Sequence, residues 1–349
     1  MLRFSKVGIA GISVTVPRTV KRTMEQSVTF TREELEKFMK ATGIEERRIA
    51  PEDICASDLC YDAAVRLLND SDIPNNKIDV LIFVSQTPDY RVPGTSILLQ
   101  HRLALPQSVL AFDVNMTCSG YLYGLYIAYS LMANEKINNV LLLLGETMSK
   151  LISDKDKATS LLLGDAGSAT LLTKGEEYSD SYFSLQTDGS NFDAIHIPMG
   201  GFRRRSSPDS LAYVKYEDGS ERNGEQVYMD GMSVFSFAIS ELPKNIKCLL
   251  GECGVCLEEI DKFIFHQANK LMTDFVAKKL RVDKNKVLSC IRKFGNTSGV
   301  SIPLTMVYEK DRLQPGDTLL LNAIGAGFSW GTLIMKFPKN CILSEINEL

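Results

Sequence analysis

A cysteine between two apolar stretches is the residue of this chain best suited to covalent chemistry. Cys118 follows the stretch 112–117 and precedes the apolar segment 121–132, with Ser119 and Gly120 directly after it. Small residues allow a tight turn, and a helix that begins here directs its free N–H groups and positive dipole end at the sulfur. Because both favour the thiolate, the pattern predicts a reactive nucleophile, against the alternative of an inert buried cysteine.

The chain has three histidines, so few residues could serve this thiol as a base. His266 follows the apolar run 260–265, which predicts an imidazole at the carboxyl end of a strand, where open α/β sheets keep their chemistry. His101 lies in a helical pattern, and His196 stands between two isoleucines, which predicts a strand or loop residue with a local partner. His266 is therefore the expected partner of Cys118.

Segments of the first half recur in the second half, which predicts a tandem duplication of one α/β unit. The matched segments are residues 78–83 with 260–265, 96–120 with 273–299, and 161–169 with 319–327. The turn at 297–299 then matches the cysteine turn, so the duplication brings the adjacent Asn296 near the thiol. The alternative is that this asparagine only stabilises a turn, since asparagine is common in turn sequences such as Gly-Asn-Thr-Ser-Gly.

The duplication predicts how the chain is organised around these residues. We expect an α/β fold with strands that alternate with helices, two related sheets, and a site where corresponding strand ends converge. The N-terminal half is expected at residues 1–174 and carries Cys118. The C-terminal half is expected at residues 175–349, carries His266 and Asn296, and begins with a long connection to about residue 230. Segment 121–132 should be a buried central helix.

Composition excludes several classes of protein. The 349 residues are 44% hydrophobic and 23% charged, and a net charge of −4 gives no overall attraction to nucleic acid or to an anionic membrane. No apolar run reaches the roughly 18 residues of a membrane span, and the chain opens into a strand pattern rather than a signal peptide, so a cytoplasmic location is expected. Cys253 and Cys256 lack the second pair that a zinc site needs, so no metal is expected.

Four motifs in the same order resemble the β-ketoacyl-acyl-carrier-protein synthase III family of thiolase-fold condensing enzymes. They are Cys-Ser-Gly at 118–120, His-Gln-Ala-Asn at 266–269, Gly-Asn-Thr-Ser at 295–298 and the glycine-rich stretch 325–331. The resemblance spans nearly the whole chain and implies a thiolase-like duplicated α/β unit with layers α-β-α-β-α. It also implies a homodimer without a cofactor, whose substrates are an acyl-CoA or acyl-carrier protein and a malonyl-carrier protein.

The resemblance implies a role for each motif. Cys118 would take an acyl group from a thioester, and the enolate left when a malonyl group loses CO2 would attack this acyl-cysteine to give a β-ketoacyl product. His266 and the Asn296 amide would hydrogen-bond the enolate oxygen as neutral donors, without repelling the departing carboxylate as an aspartate would. The backbone N–H groups of Cys118 and Ala326 would form the oxyanion hole of acyl transfer.

The chain departs from the family at positions that bind substrate. The tryptophan and arginine that usually hold the adenine of coenzyme A correspond to Lys37 and Ala41, which weakens the case for a coenzyme A donor bound in the usual way. Val92 replaces an aromatic residue that often enters the acyl pocket from the partner subunit. A smaller side chain leaves room for a primer that is longer than acetyl or branched.

Basic residues near the pocket mouth are expected to dock an acidic acyl carrier protein. The candidates on the segment after His266 are Lys270, Lys278, Lys279 and Arg281. The three arginines at 203–205, in the long connection, are either a further docking site or a solvated loop.

Two alternatives to decarboxylative condensation stay open from the sequence. One is an acyltransferase on the same scaffold that passes the acyl group from Cys118 to an oxygen or nitrogen of a small acceptor, without decarboxylation. The other is a non-catalytic partner subunit. The intact set of Cys118, His266 and Asn296 argues against a non-catalytic chain.

Overall fold

The computed structural model describes residues 1–26 and 29–349, which form two main sheets with helices between and outside them. The helices are α1 (Arg32–Thr42), α2 (Ala56–Asp70), α3 (Thr95–Arg102), α4 (Gly120–Met132), α5 (Gly231–Cys253), α6 (Lys270–Leu280), α7 (Ile291–Phe294) and α8 (Ser301–Tyr308). The strands are β1 (Leu2–Phe4), β2 (Val7–Val16), β3 (Val20–Arg22), β4 (Glu46–Arg48), β5 (Val80–Val84), β6 (Leu110–Val114), β7 (Asn139–Glu146), β8 (Ala166–Lys174), β9 (Ser181–Thr187), β10 (Ile195–His196), β11 (Val214–Lys215), β12 (Glu221–Arg222), β13 (Tyr228–Met229), β14 (Lys262–Phe265), β15 (Thr318–Gly325), β16 (Ser329–Lys336), β17 (Ile342–Leu343) and β18 (Asn347–Glu348).

The two main sheets repeat one arrangement of strands. The larger sheet has the order β17-β2-β8-β7-β5-β6, and the smaller sheet has the order β1-β9-β16-β15-β14. In the larger sheet β5 is parallel to β7, and β7 is antiparallel to β8. In the smaller sheet β14 is parallel to β15, and β15 is antiparallel to β16. The pairs β5 and β14, β7 and β15, and β8 and β16 are therefore equivalent, which confirms a duplicated α/β unit.

Helices separate and cover the sheets in five layers, as expected. α4 contacts β5 and β7 of the larger sheet and β15 and β16 of the smaller sheet, and α8 contacts β2 and β14. α2 and α3 pack on the larger sheet, while α5 packs on the smaller sheet and carries α6 beside it. α4 is apolar nearly all round because it is the central layer, and its Tyr121, Leu125 and Tyr129 are completely buried. Burial of the Leu125 side chain alone stabilises the fold by about 1.5–3 kcal/mol.

One matched pair of segments from the sequence is wrong. Leu319 and Leu321 lie inside β15, whose counterpart is β7, whereas residues 161–163 form a turn before β8. The two leucine runs look alike because both are buried. Residues 161–163 are buried because they pack beside Asn296, with which Leu163 forms an isolated parallel bridge. The first leucine run therefore belongs to the site and not to a sheet.

The ends of the chain cross between the two sheets. β1 pairs with β9 in the smaller sheet, whereas β17 and β18 pair with β2 in the larger sheet. These three strands thus lie in the sheet formed mainly by the other half of the chain, and the division into halves at residue 174 stays a prediction. The long connection contains the short strands β10 to β13, of which β10 pairs with β13. In the described ranges no helix has the length and apolar character that a membrane crossing requires.

Candidate active site

The predicted strand-to-helix turn at the cysteine is confirmed. β6 ends at Val114, α4 begins at Gly120, and Cys118 lies between them. Two glycines of the second half, Gly299 before α8 and Gly325 at the end of β15, lie so close to this turn that a larger residue would not fit. A Cβ atom at Gly299 would lie 2.8 Å from the Thr117 carbonyl oxygen, and one at Gly325 would lie 2.8 Å from Thr117 Oγ1. The two halves of the duplication thus meet at the thiol.

His266 follows β14 directly, as the sequence predicted, and its side chain is buried. Its Nδ1 lies 2.7 Å from Ser301 Oγ, and the same hydroxyl accepts a hydrogen bond of 3.2 Å from the Gln267 N–H. With the Gln267 donor already in place, the hydroxyl hydrogen is free to be donated to Nδ1. This arrangement favours the imidazole tautomer that carries its hydrogen on Nε2.

Asn296 is held by its backbone and by one side of its amide. Its N–H donates to Leu162 O at 3.0 Å, and its carbonyl oxygen accepts from the Gly164 N–H at 2.9 Å. Its Oδ1 accepts from the Ser298 N–H at 2.9 Å. Because the amide oxygen is engaged in the turn, the Nδ2 hydrogens are left for the adjoining cavities.

Two cavities open from the thiol. The smaller, of about 260 Å³, is lined by Cys118, His266 and Asn296 and reaches past the start of α6, where Leu271 is half exposed. The larger, of about 390 Å³, is lined mainly by apolar side chains and does not include His266. The residues that line both are Cys118, Leu162, Ile195, Met229 and Asn296. A thioester at the sulfur could therefore direct its two arms into different cavities.

Burial makes both the thiol and the imidazole neutral at pH 7. It raises the pKa of Cys118 to about 11, although hydrogen bonds from Ser298 and from the cysteine's own backbone act in the opposite direction. Burial also lowers the pKa of His266 to about 4, with the backbone of Ser298 opposing it. The expectation of a thiolate is thus corrected, because the cost of desolvating the charge outweighs these hydrogen bonds.

The region of the predicted oxyanion hole is tied together by hydroxyl groups. Ala326 lines the larger cavity, but its N–H donates to Thr117 Oγ1 at 3.1 Å. The hydroxyls of Ser119 and Ser329 lie 2.7 Å apart, and the Ser329 hydroxyl donates to the Ala326 carbonyl oxygen at 3.2 Å. These hydrogen bonds hold the glycine-rich stretch against the cysteine turn. The Ala326 N–H, predicted to bind an oxyanion, donates to Thr117 Oγ1 in this structure.

The other two histidines and the residue expected in the acyl pocket lie in different places. His101 is in α3 and lines neither cavity. His196 is in β10, as expected of a strand residue, and lines the larger cavity. Its Nδ1 has no hydrogen-bond partner among the described residues, but its ring packs edge-on against Phe192 and Tyr228. Val92 is 84% exposed on the loop before α3 and lines neither cavity of its own chain.

The basic candidates for carrier docking are spread along α6. Lys270, in the first turn, forms an ion pair with Asp274 beside the mouth of the smaller cavity. Lys278 and Lys279 lie in the last turn, roughly 12 Å along the helix from Lys270. Arg281 caps the helix end in a left-handed conformation. Lys270 is therefore the member of this group that is nearest the cavity mouth.

The remaining sequence candidates differ in where they lie relative to the cavities. Ala41 lines the smaller cavity, whereas Lys37 is exposed and pairs with Glu33 within α1. The arginines at 203–205 are exposed in the long connection. In residues 1–26 and 29–349 there is no group of three or more His, Cys, Asp or Glu side chains that could hold a metal ion.

Several residues that shape the site were missed from the sequence. Ser298 and Ser301 follow Asn296 closely, and their spacing to it could have indicated a role. Ile195 and Met229 come from the long connection, where β10 and β13 place them opposite one another. Nothing in the local sequence of that connection signals a position in the active site.

Comparison with known proteins identifies a family. The family model for 3-oxoacyl-[acyl-carrier-protein] synthase III matches residues 112–189, and the model for the C-terminal part of that family matches residues 250–337. A β-ketoacyl-[acyl-carrier-protein] synthase III of Caldanaerobacter subterraneus is 34% identical over 301 residues, covering 85% of this chain and 88% of the relative. A similar protein of Chlamydia caviae is 34% identical over 299 residues, covering 84% and 86%.

Solved structures agree with the sequence relatives. The crystal structure of a 3-oxoacyl-(acyl-carrier protein) synthase from Burkholderia xenovorans superimposes with a TM-score of 0.91 at 35% identity, covering 99% of this chain and 98% of the other. The agreement extends over the full length of the fold and both halves of the duplication. The chain belongs to the 3-oxoacyl-[acyl-carrier-protein] synthase III family of thiolase-fold, acyl-transferring condensing enzymes.

Proposed function

We propose that this chain condenses an acyl group held on Cys118 with a malonyl group carried by an acyl carrier protein, releasing CO2 and a β-ketoacyl thioester for fatty acid or related acyl biosynthesis. One observation carries the proposal: Cys118, His266 and Asn296 line a single cavity, and a second cavity opens from the same sulfur. The three side chains are the nucleophile and the two neutral donors that this reaction needs.

The first half-reaction is transfer of the acyl group to Cys118. The sulfur forms a bond to the thioester carbonyl carbon, the bond to the carrier sulfur breaks, and the thiol proton ends on that leaving sulfur. Ser298 Oγ, 3.7 Å from the Cys118 sulfur, supports the negative charge that develops there. The proposed oxyanion donors are the N–H groups of Cys118 and Ala326. The Ala326 N–H donates to Thr117 Oγ1 in the free enzyme, so the oxyanion would have to share this donor with the Thr117 hydroxyl.

The second half-reaction is decarboxylation and condensation. The malonyl carboxylate leaves as CO2, and the electron pair of the broken bond forms an enolate whose oxygen accepts hydrogen bonds from His266 Nε2 and Asn296 Nδ2. An imidazole with a pKa of about 4 stays neutral beside a carboxylate, so it remains a single-hydrogen donor. The enolate carbon then attacks the acyl carbonyl, and Cys118 leaves as a thiolate that regains a proton.

The lining of the smaller cavity supports a carrier protein as the acyl donor. No lysine or arginine side chain lines this cavity in the described part of the chain, and Ala41 and Leu271 stand near its entrance. The pantetheine arm is common to both kinds of donor, whereas the nucleotide of coenzyme A adds phosphates that need cations. Docking of an acidic carrier would use Lys270 at the mouth.

A second copy of the chain completes the proposed arrangement. Val92 is exposed on its own subunit, as is Tyr90 nearby, and in a homodimer Val92 would close the larger cavity of the partner. We propose a homodimer on this basis, with a primer longer than acetyl or branched. A cytoplasmic location is a separate part of the proposal.

Mass spectrometry of the intact protein tests the reaction. The enzyme is offered carrier-bound acyl donors, then malonyl-carrier protein, with Cys118→Ala as the control. We expect an acyl adduct that requires Cys118 and that malonyl-carrier protein discharges with release of CO2 and formation of a β-ketoacyl product. An adduct that only an amine or alcohol acceptor discharges would instead establish acyl transfer without decarboxylation.

A further inference from the structure

Two separate segments of the chain form much of the wall of the larger cavity. One is segment 148–163, between β7 and β8, and the other is the long connection. Residues on the cavity wall include Leu151, Thr159 and Leu162 from the first segment, and His196, Val227 and Met229 from the second. The space available to an acyl chain therefore depends on how these two segments are held relative to one another.

Individual contacts, rather than a continuous sheet, join the two segments. The Val227 N–H donates to the Leu151 carbonyl oxygen at 2.8 Å, and the Glu221 N–H donates to the Lys155 carbonyl oxygen at 3.2 Å. The Ser153 hydroxyl donates to the Glu221 carbonyl oxygen at 2.6 Å. Because the strands of the connection are short, its position depends on such contacts and on the side chains between them.

A buried ion pair is one of these contacts. Arg222 Nη1, in β12, lies 3.2 Å from Asp156 Oδ2, and the two side chains are 9% and 1% exposed. Asp156 Oδ1 accepts from the Ala158 N–H at 2.8 Å. The guanidinium carbon of Arg222 lies 3.8 Å from the ring centroid of Tyr216 and 4.9 Å from that of Tyr228. Aromatic faces stabilise a cation, so both charges are compensated away from water.

Each partner of the ion pair leads directly to the cavity wall. Tyr228 stands between Val227 and Met229, its backbone pairs with that of His196, and its ring packs edge-on against the imidazole at 5.7 Å. On the other side, the Asp156 carbonyl oxygen accepts from the Ser160 N–H at 3.0 Å and closes the turn that carries Thr159. The ion pair thus links the two parts of the wall from outside the cavity.

We propose that Asp156 and Arg222 are positioning residues that set the longest acyl chain the larger cavity accepts, because they hold its two wall segments at a fixed separation. An apolar cavity rejects a chain that is too long only if its wall does not yield. A buried ion pair adds little to stability but can fix one arrangement of the segments it joins. The inference rests on the proposed function, since it requires acyl transfer to Cys118.

Labelling of Cys118 by a series of donors tests this inference. Carrier-bound butyryl, hexanoyl, octanoyl and decanoyl are offered at equal concentration, and the acyl adduct on the intact enzyme is followed with time. We expect the labelling rate to fall between two successive donors, since one methylene too many in an apolar pocket costs roughly 10- to 200-fold. Arg222→Met, which keeps an unbranched stem and removes the charge, should bring this ratio of rates towards one. Loss of folded protein would lower both rates alike and leave their ratio unchanged.

Lys155→Met is the matched control. Lys155 forms an ion pair with Glu221 at 2.9 Å between the same two segments, but these side chains are 61% and 32% exposed. Because exposed ion pairs contribute little, this variant should keep the ratio of the wild type. If Arg222→Met does not fold, Asp156→Asn carries the test, since it removes the charge and keeps the oxygen that accepts from the Ala158 N–H.

The possible failures are distinguishable. Absence of labelling by every donor would overturn the proposed function and this inference with it. Labelling of the wild type by all four donors at similar rates would overturn the inference alone, and so would a wild-type ratio in the folded variants of Asp156 and Arg222. Equal loss of discrimination in Lys155→Met would also overturn it, since burial of the ion pair would then be irrelevant.

Discussion

Ser298 and Ser301 are three residues apart, yet their hydroxyls contact different reacting groups, so their alanine variants should slow different half-reactions. Ser298 Oγ lies 3.7 Å from the Cys118 sulfur, whereas Ser301 Oγ lies 2.7 Å from His266 Nδ1. If Cys118 acts in acyl transfer and His266 in decarboxylation, Ser298→Ala should affect the first step and Ser301→Ala the second.

The magnitude for Ser298→Ala follows from the charge on sulfur. A hydrogen bond to a charged group contributes about 1.5–3 kcal/mol, and each 1.36 kcal/mol is tenfold, so acylation should slow by roughly 10- to 150-fold. Burial already raises the pKa of Cys118 to about 11, and the Ser298 hydroxyl opposes that rise. Removing it should raise the thiol pKa further. The increase of the acylation rate with pH should therefore move to higher pH, which a purely structural defect would not cause.

The magnitude for Ser301→Ala follows from two buried groups that lose their partner. Without this hydroxyl, His266 Nδ1 loses its neighbour and the Gln267 N–H loses its acceptor. An unpaired buried group costs about 1–3 kcal/mol, so decarboxylation should slow by roughly 5- to 150-fold. Acylation of Cys118 should change by less than about threefold.

The assay measures each half-reaction separately. Acylation is followed by mass spectrometry of the intact enzyme before malonyl-carrier protein is added. Decarboxylation is followed as CO2 release from malonyl-carrier protein in the Cys118→Ala background, where no acyl-enzyme can form. Thermal unfolding of each variant controls for loss of folded protein. Equal slowing of both steps by Ser301→Ala, or slower CO2 release in the double variant with Ser298→Ala, would refute this division of roles.

Three further predictions follow from close packing and from buried charge. Gly325→Ala should slow acylation and lower the melting temperature, because its Cβ would lie 2.8 Å from Thr117 Oγ1, whereas Gly251→Ala, with nothing within 4 Å, should do neither. Burial raises the pKa of Glu146 from 4.5 to about 8. The unfolded chain therefore loses this proton near pH 4.5, whereas the folded chain keeps it to about pH 8. The free energy of unfolding consequently decreases as the pH rises between these two values. Glu146→Gln should accordingly raise the melting temperature more at pH 8 than at pH 5. Val92→Phe should shift the donor preference towards acetyl in the labelling assay, and an unchanged preference would exclude Val92 from the acyl pocket.

Local sequence was sufficient for much of the fold and for the principal candidate residues. Short apolar runs that end in polar or small residues predict strands and turns, and this placed Cys118 before α4 and His266 after β14. The internal repeat predicted the paired sheets and brought Asn296 to the thiol. These features were accessible because each depends on neighbours within a few residues or on a repeated pattern.

The same local patterns failed where packing decides the outcome. The leucine run at 161–163 resembles that of β15, but only the sheet pairings show that β7 is the true counterpart. The helix start at Cys118 suggested a thiolate, whereas burial by surrounding elements raises the pKa of the thiol. Burial depends on atoms from distant parts of the chain, and periodicity does not encode it.

The walls of the two cavities were decided by tertiary structure alone. Ile195, His196 and Met229 come from a connection with little regular structure, and the pairing of β10 with β13 carries them to the thiol. Thr159 reaches the same cavity from a turn before β8. The sequence by itself determined which atoms can react, because reactivity resides in residue types and their local turns. Which acyl group they meet depends on surfaces brought together only when the chain folds.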